Sequence, residues 1–174
     1  MRRRASWRRR RFWYWRGLSA VTSTPVAQNT AAVTVTPTII IRRRQGPVVE
    51  SPTAEHFTGV VRVERLFQPA DGARTSGAPV AFEAGASTAW HVHPVGQTLI
   101  VIEGVGWVQQ RGRPVQPISA GDVVWIPPGV EHWHGATASS AMTHLAIQEQ
   151  PDGKTVRWLE PVSDDQFRAA QQSR

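Results

Sequence analysis

From about His56 onward, short runs of β-forming residues are interrupted at regular intervals by glycine or proline. The runs are "TGVVRVERLF", "PVAFEA", "TLIVIEG", "WVQQRG", "DVVWIPPG" and "MTHLAIQE", with Gly85, Gly96, Gly104, Gly112, Pro114, Gly121, Pro127, Pro128 and Gly129 at the joins. Such punctuation leaves no room for long helices and predicts an all-β fold, a small antiparallel barrel or jelly roll. A 3.6-residue pattern emerges only near the end, in "SDDQFRAAQQ". No stretch repeats another, so one barrel is expected, and about 130 residues are enough to enclose an ordinary core. The expected division is a barrel over 55–174 and an extension over 1–54.

The extension differs in kind. Residues 1–44 hold 11 arginines and no acid, whereas residues 45–174 hold nine basic and 13 acidic residues, a net of −4. The overall charge of +7 therefore belongs to the N-terminal segment, and it is no sign that the barrel binds nucleic acid. The segment reads as a disordered basic extension, of the kind an upstream start codon adds. Three other readings stay open. Arg10-Arg11-Phe12 resembles part of a twin-arginine export signal, although Arg16 cuts short the apolar region such a signal needs. An arginine-rich, acid-free stretch also fits an organelle transit peptide, and interleaved Arg and Trp fit contact with nucleic acid or an anionic membrane. No apolar run reaches the roughly 18 residues of a membrane span. The expected location is the cytoplasm, with export through the arginine-rich segment still open.

The chain has no cysteine, so thiolate metal sites are excluded. Its chemistry is concentrated in histidine. His56 stands alone and is expected at the surface. The other five fall in three clusters: His91 and His93, His132 and His134, and His144. Within a strand, i and i+2 share a face. His132 and His134 therefore point one way and Trp133 the other. On the last long run His144 shares a face with Met142, Ala146 and Gln148. One such pair is commonly structural. Five histidines on three strands pose a different problem, because buried imidazoles need partners. A divalent cation meets that need, neutral imidazole being its commonest protein ligand.

The spacing around these histidines carries a resemblance. Gly85, five residues, His91-x-His93, three residues, Gln97, six residues and Gly104 form one block. Gly121, five residues, Pro127-x-Gly129, two residues and His132 form another. Both resemble the two blocks of the cupin superfamily of metal-binding β-barrels, with Gln97 where the family usually has Glu and Ala136 where it has Asn. From about Phe57 to Phe167, "TAWHVHPVGQTLIV", "AGDVVWIPPGVEHWHGA" and "AMTHLAIQE" are similar to the cupin hydroxynitrile lyases of bacteria. That resemblance implies a metal on His91, His93, Gln97 and His132, with His134 and His144 as catalytic histidines beside it. It implies manganese as the ion, with iron, cobalt, nickel or zinc as alternatives, and a cyanohydrin or aldehyde as small-molecule substrate. The chain is also expected to form a homo-oligomer.

Replacing Glu by Gln97 removes a negative charge, leaving the divalent site near a formal +2 instead of about +1, which favours Lewis acidity over oxygen activation. An imidazole with an ordinary pKa of about 6.5 is a workable base near neutrality. His134 is expected to take the substrate proton, and His144 to orient His134 or to protonate cyanide. Two other functions compete: a non-catalytic cupin that binds or senses a small molecule, and a different metal-dependent cupin enzyme. The latter includes an oxygenase, an isomerase or a protein associated with carboxymuconolactone decarboxylase. Elsewhere, Trp90, Trp107, Trp125 and Trp133 are expected mainly to pack, and Val80, Phe82, Leu145 and Ile147 to form core. Glu103 and Glu131 are expected to be solvated, and Gly129 to serve a turn.

Overall fold

The computed structural model describes residues 39, 41, 53–64, 66–68 and 72–172. The reading of the basic extension falls almost wholly outside them. Among the described residues, eleven strands and one α-helix follow in order: β1 (Phe57–Thr58), β2 (Val61–Val63), β3 (Thr75–Phe82), β4 (Ser87–Thr88), β5 (His91–Val92), β6 (Gln97–Gln110), β7 (Gln116–Ser119), β8 (Val123–Ile126), β9 (His132–Ala136), β10 (Met142–Glu149), β11 (Arg157–Trp158) and α1 (Asp164–Gln172). All pairings are antiparallel. The main path runs β1-β4-β9-β6-β10-β3-β2, a nearly closed barrel of the expected class.

β6 holds the barrel together. Its first half pairs with β10 and β8, and its second half with β9 and β7. The sequence predicts a break at Gly104, yet the strand passes through it. Gly104 has φ +78°, and a Cβ there would lie 1.9 Å from the Ala141 carbonyl oxygen. Glycine here allows a bend and a close approach within one strand. "TGVVRVERLF", conversely, is not one strand: it divides into β1 and β2 around Gly59.

Alternation sorts the side chains into two cores. Val61, Val80, Phe82, Leu99, Val101, Ile126, Met142 and Ala146 fill the barrel. Trp90, Trp107 and Trp133 form a second cluster with Val162 and Ala170, against which Phe167 packs. That cluster lies under α1, which starts with a reciprocal cap: the Gln166 amide N–H donates to Ser163 Oγ (3.2 Å), and the Ser163 N–H donates to Gln166 Oε1 (3.0 Å). Leu145 and Ile147 are half-buried and not core, because they occupy the outer face of β10 while Met142, His144 and Ala146 face inward. Trp125 is 59% exposed and lies outside the cluster of Trp90, Trp107 and Trp133. His56 is half-buried, stacked on Trp158 at 4.4 Å.

Candidate active site

Strand register brings the histidines together. His91 on β5 lies directly opposite His132 on β9, with ring centroids 4.1 Å apart. His93 follows β5 in a turn closed by the Gly96 N–H (3.4 Å), and the Gly129 N–H from the loop between β8 and β9 donates to the same His93 carbonyl (3.0 Å). Gly96, at φ +87°, lets the same turn run against Trp125 and the Ile126 carbonyl, where a Cβ would not fit. One ring nitrogen from each of His91, His93 and His132 lies within 4.8 Å of the other two.

Each of these three rings is oriented by the main chain. Nδ1–H donates to the Ala89 carbonyl from His91 (2.9 Å), to Thr155 from His93 (2.7 Å) and to Val130 from His132 (2.9 Å). A carbonyl oxygen only accepts, so the proton is on Nδ1 and the lone pair on Nε2. The Nε2 atoms of His93 and His132 are buried without a protein partner, as is Oε1 of Gln97. Unpartnered buried acceptors are costly, and imidazole nitrogens converging as those of His91, His93 and His132 do are what a cation would satisfy. Neutral imidazole nitrogens and an amide oxygen suit a borderline divalent ion. Burial, together with neighbouring imidazoles, pushes His91 well below its usual pKa. Burial pushes His93 down to about 4, and it lowers His132 as well. All three are therefore unprotonated and able to ligate at neutral pH.

His134 and His144 adjoin the triad and are fully enclosed. His134 Nδ1 and His144 Nε2 are 3.2 Å apart, while His134 Nε2 and His144 Nδ1 have no partner. One proton serves this contact, and either ring can carry it. Phe82 packs against both rings, at 5.8 Å and 5.5 Å. Burial, and the imidazoles of His144 and His91, push His134 well below the ordinary histidine range, and burial takes His144 down to about 3. The expectation of an unperturbed base near pKa 6.5 is thus corrected. His134 is free to accept a proton at neutral pH, but it is a weaker base than a solvated histidine.

His91 and His93 of the triad, Gln97 and this pair open on one cavity of about 130 Å³, walled also by Phe57, Val63, Val80 and Trp158. That is below the ~300–1,000 Å³ of drug-sized ligand pockets, so it suits a small molecule with an apolar side. A larger hollow of about 300 Å³ lies between Trp90, Arg111 and α1. Its guanidinium is already paired with Glu131 and with Glu160 (2.6 Å) and stacked over Trp90 (4.2 Å). Among the described residues, the imidazoles line the smaller cavity and not this one.

The sequence did not identify Trp158, Phe57, Thr155 or Ser76 as parts of this region. β11 pairs with β5 and sets Trp158 opposite His91. The alternation in "TVRWLE" after Gly153 is the one local signal of that strand.

Known proteins are similar to this chain to different depths. A family model described as a cupin domain matches residues 80–148. The (R)-mandelonitrile lyase of Granulicella tundricola is 59% identical over 115 residues, 66% of this chain and 88% of that protein. A cupin-like protein of Thermotoga maritima is 39% identical with a TM-score of 0.69, over 72% of this chain and 96% of its own. The polyketide cyclase RemF of Streptomyces resistomycificus shares the fold alone, at 18% identity and a TM-score of 0.60 over 75% of this chain and 91% of its own.

Proposed function

This chain belongs to the cupin superfamily, and from that premise we propose that it is a metal-dependent hydroxynitrile lyase-like enzyme. It would cleave a cyanohydrin to an aldehyde and hydrogen cyanide and catalyse the reverse addition. The carrying observation is the meeting of two kinds of histidine side by side, with the His134 ring 5.2 Å from His91 and 6.0 Å from His132. Three are fixed by main-chain carbonyls with Nε2 free, and two share a single proton position. The Granulicella relative supports the substrate class.

His91, His93 and His132 would hold a divalent ion through Nε2, and Gln97 through Oε1. Bound there, manganese, or iron, cobalt, nickel or zinc in its place, supplies Lewis acidity toward the substrate oxygen. Phe57, Val63, Val80 and Trp158 receive the organic side of the cyanohydrin and keep water from it. With His134 Nδ1–H donating to His144 Nε2, His134 Nε2 presents a lone pair to the substrate hydroxyl. It takes the hydroxyl proton as the O–H electrons form the carbonyl and the C–CN bond breaks with its pair on cyanide. The same proton returns from His134 Nε2 to cyanide, so the histidines finish as they began. His144 accepts from Nδ1 and so keeps the basic nitrogen of His134 facing the cavity. A lowered pKa favours this return, because an imidazolium is disfavoured in the buried pair.

We place the expected contact between copies on the outer face of the β6–β8 pair, where Ile102, Val123 and Trp125 are each more than half exposed. The test of the reaction is mandelonitrile cleavage by metal-loaded protein beside the same protein stripped by chelator. Cleavage confined to the loaded sample supports the lyase. Loaded protein with no cleavage above the stripped control would leave a small-molecule-binding cupin or another metal-dependent cupin enzyme.

A further inference from the structure

Three polar side chains form a line across β3, β10 and β6. Ser76 is the register partner of Gln148, and Gln148 that of Gln97. Directly opposite residues on antiparallel strands share a face. Ser76 Oγ–H donates to the main-chain carbonyl of Gln148 (3.2 Å). A hydroxyl has one proton to give, so toward the Gln148 side chain Ser76 Oγ can only accept, and Nε2 of Gln148 donates to it (3.3 Å). Gln148 must then turn Oε1 toward Gln97, which donates Nε2–H to it (3.3 Å). The one atom left over is Oε1 of Gln97, which is buried and unpartnered. A carbonyl that cannot donate thus sets the direction of every bond in the line.

We propose that Ser76 and Gln148 are positioning residues that hold Gln97 with its oxygen toward the metal and commit position 97 to a neutral amide. The proposal rests on Gln97 being a ligand. A carboxylate at 97 has no proton for Gln148 Oε1, so two acceptors would face each other. Gln148 would have to turn over and would then present its oxygen to a hydroxyl whose proton is already used. Removing Ser76 lifts that conflict. The same substitution should therefore act differently in the two backgrounds.

The experiment is the affinity for manganese(II), measured by competition with a fluorescent chelator. Wild type, Gln97→Ala and Ser76→Ala are compared with Gln97→Glu and the Ser76→Ala/Gln97→Glu double variant, with thermal melts of the metal-free proteins to verify folding. Outer partners of metal ligands commonly govern affinity by about 10–100-fold. Ser76→Ala should weaken binding to that extent in the wild-type background and cause no loss in the Gln97→Glu background. Equal loss in both backgrounds, or none in the wild-type background, overturns the proposal. Gln148→Met removes the same acceptor without adding a charge and should reproduce the loss if Ser76→Ala does not fold; unchanged affinity there also overturns it. Gln97→Ala separates the two layers. If it leaves affinity unchanged, Gln97 is not a ligand; if it weakens binding while Ser76 and Gln148 variants do not, only the relay fails.

Discussion

His91, His93 and His132 each tie one ring nitrogen to a main-chain carbonyl, whereas His134 and His144 tie theirs to each other. Both groups are buried side by side, and desolvation lowers the pKa of all five. The difference lies in what fixes the proton. A carbonyl permits one tautomer, so the first three present a permanent lone pair. An imidazole partner permits two, so the pair can pass a proton without moving an atom far. Rings with a fixed lone pair suit a metal, and rings with a transferable proton suit acid–base work.

The contrast predicts unequal consequences. The largest follows from His132→Ala, which removes a lone pair that its neighbours cannot replace. After dialysis the variant should hold no stoichiometric metal, and its mandelonitrile cleavage should match that of stripped wild type. Metal analysis on the dialysed protein checks this, and full occupancy would remove His132 from the ligand set. A smaller effect is expected from His144→Leu, which leaves the triad and His134 in place but takes away the acceptor that keeps His134 Nε2 basic. Metal should remain, and the rate should fall by less than the ~10²–10⁴-fold typical of losing a general base. Steady-state rates at equal metal occupancy measure it.

The smallest effect concerns stability. In the metal-free protein His134 and His144 are neutral when folded, and they take up protons near the ordinary pKa of about 6.5 once unfolded. Their folded pKa values are depressed, so the stability they carry is fully present above pH 6.5 and is lost as pH falls toward about 3. The urea midpoint of the metal-free protein should drop over that window. His144→Leu should make the drop shallower, and a drop of unchanged size would mean that His144 is not buried neutral.

Much of this was legible because strand alternation is local. The i, i+2 spacing alone puts His132 and His134 on one face and Trp133 on the other, and the structure has that division. Alternation also groups Gln148 with His144. Leu145 and Ile147 were misjudged because apolar character does not say which face of a half-buried strand is turned inward. The parts that remained hidden depend on distant segments: Thr155 holding His93 across 62 positions, and Ser76 bonded to Gln148 across 72. Neither Thr155, which acts through its carbonyl, nor a lone serine has a side-chain signature for such a role. The continuity of β6 through Gly104 was hidden likewise, since a glycine that bends a strand and one that ends it look the same in sequence.

The most direct test of the division between fixed and transferable protons is made on His134→Ala, by measuring metal content and mandelonitrile cleavage on the same preparation. The triad and Gln97 are untouched in this variant, so metal should stay near stoichiometric while the rate falls by about 10²–10⁴-fold. A metal-replete variant that cleaves at the wild-type rate would contradict the account, placing proton transfer on another group. So would loss of the metal together with the rate, which would make His134 part of the ion's own shell.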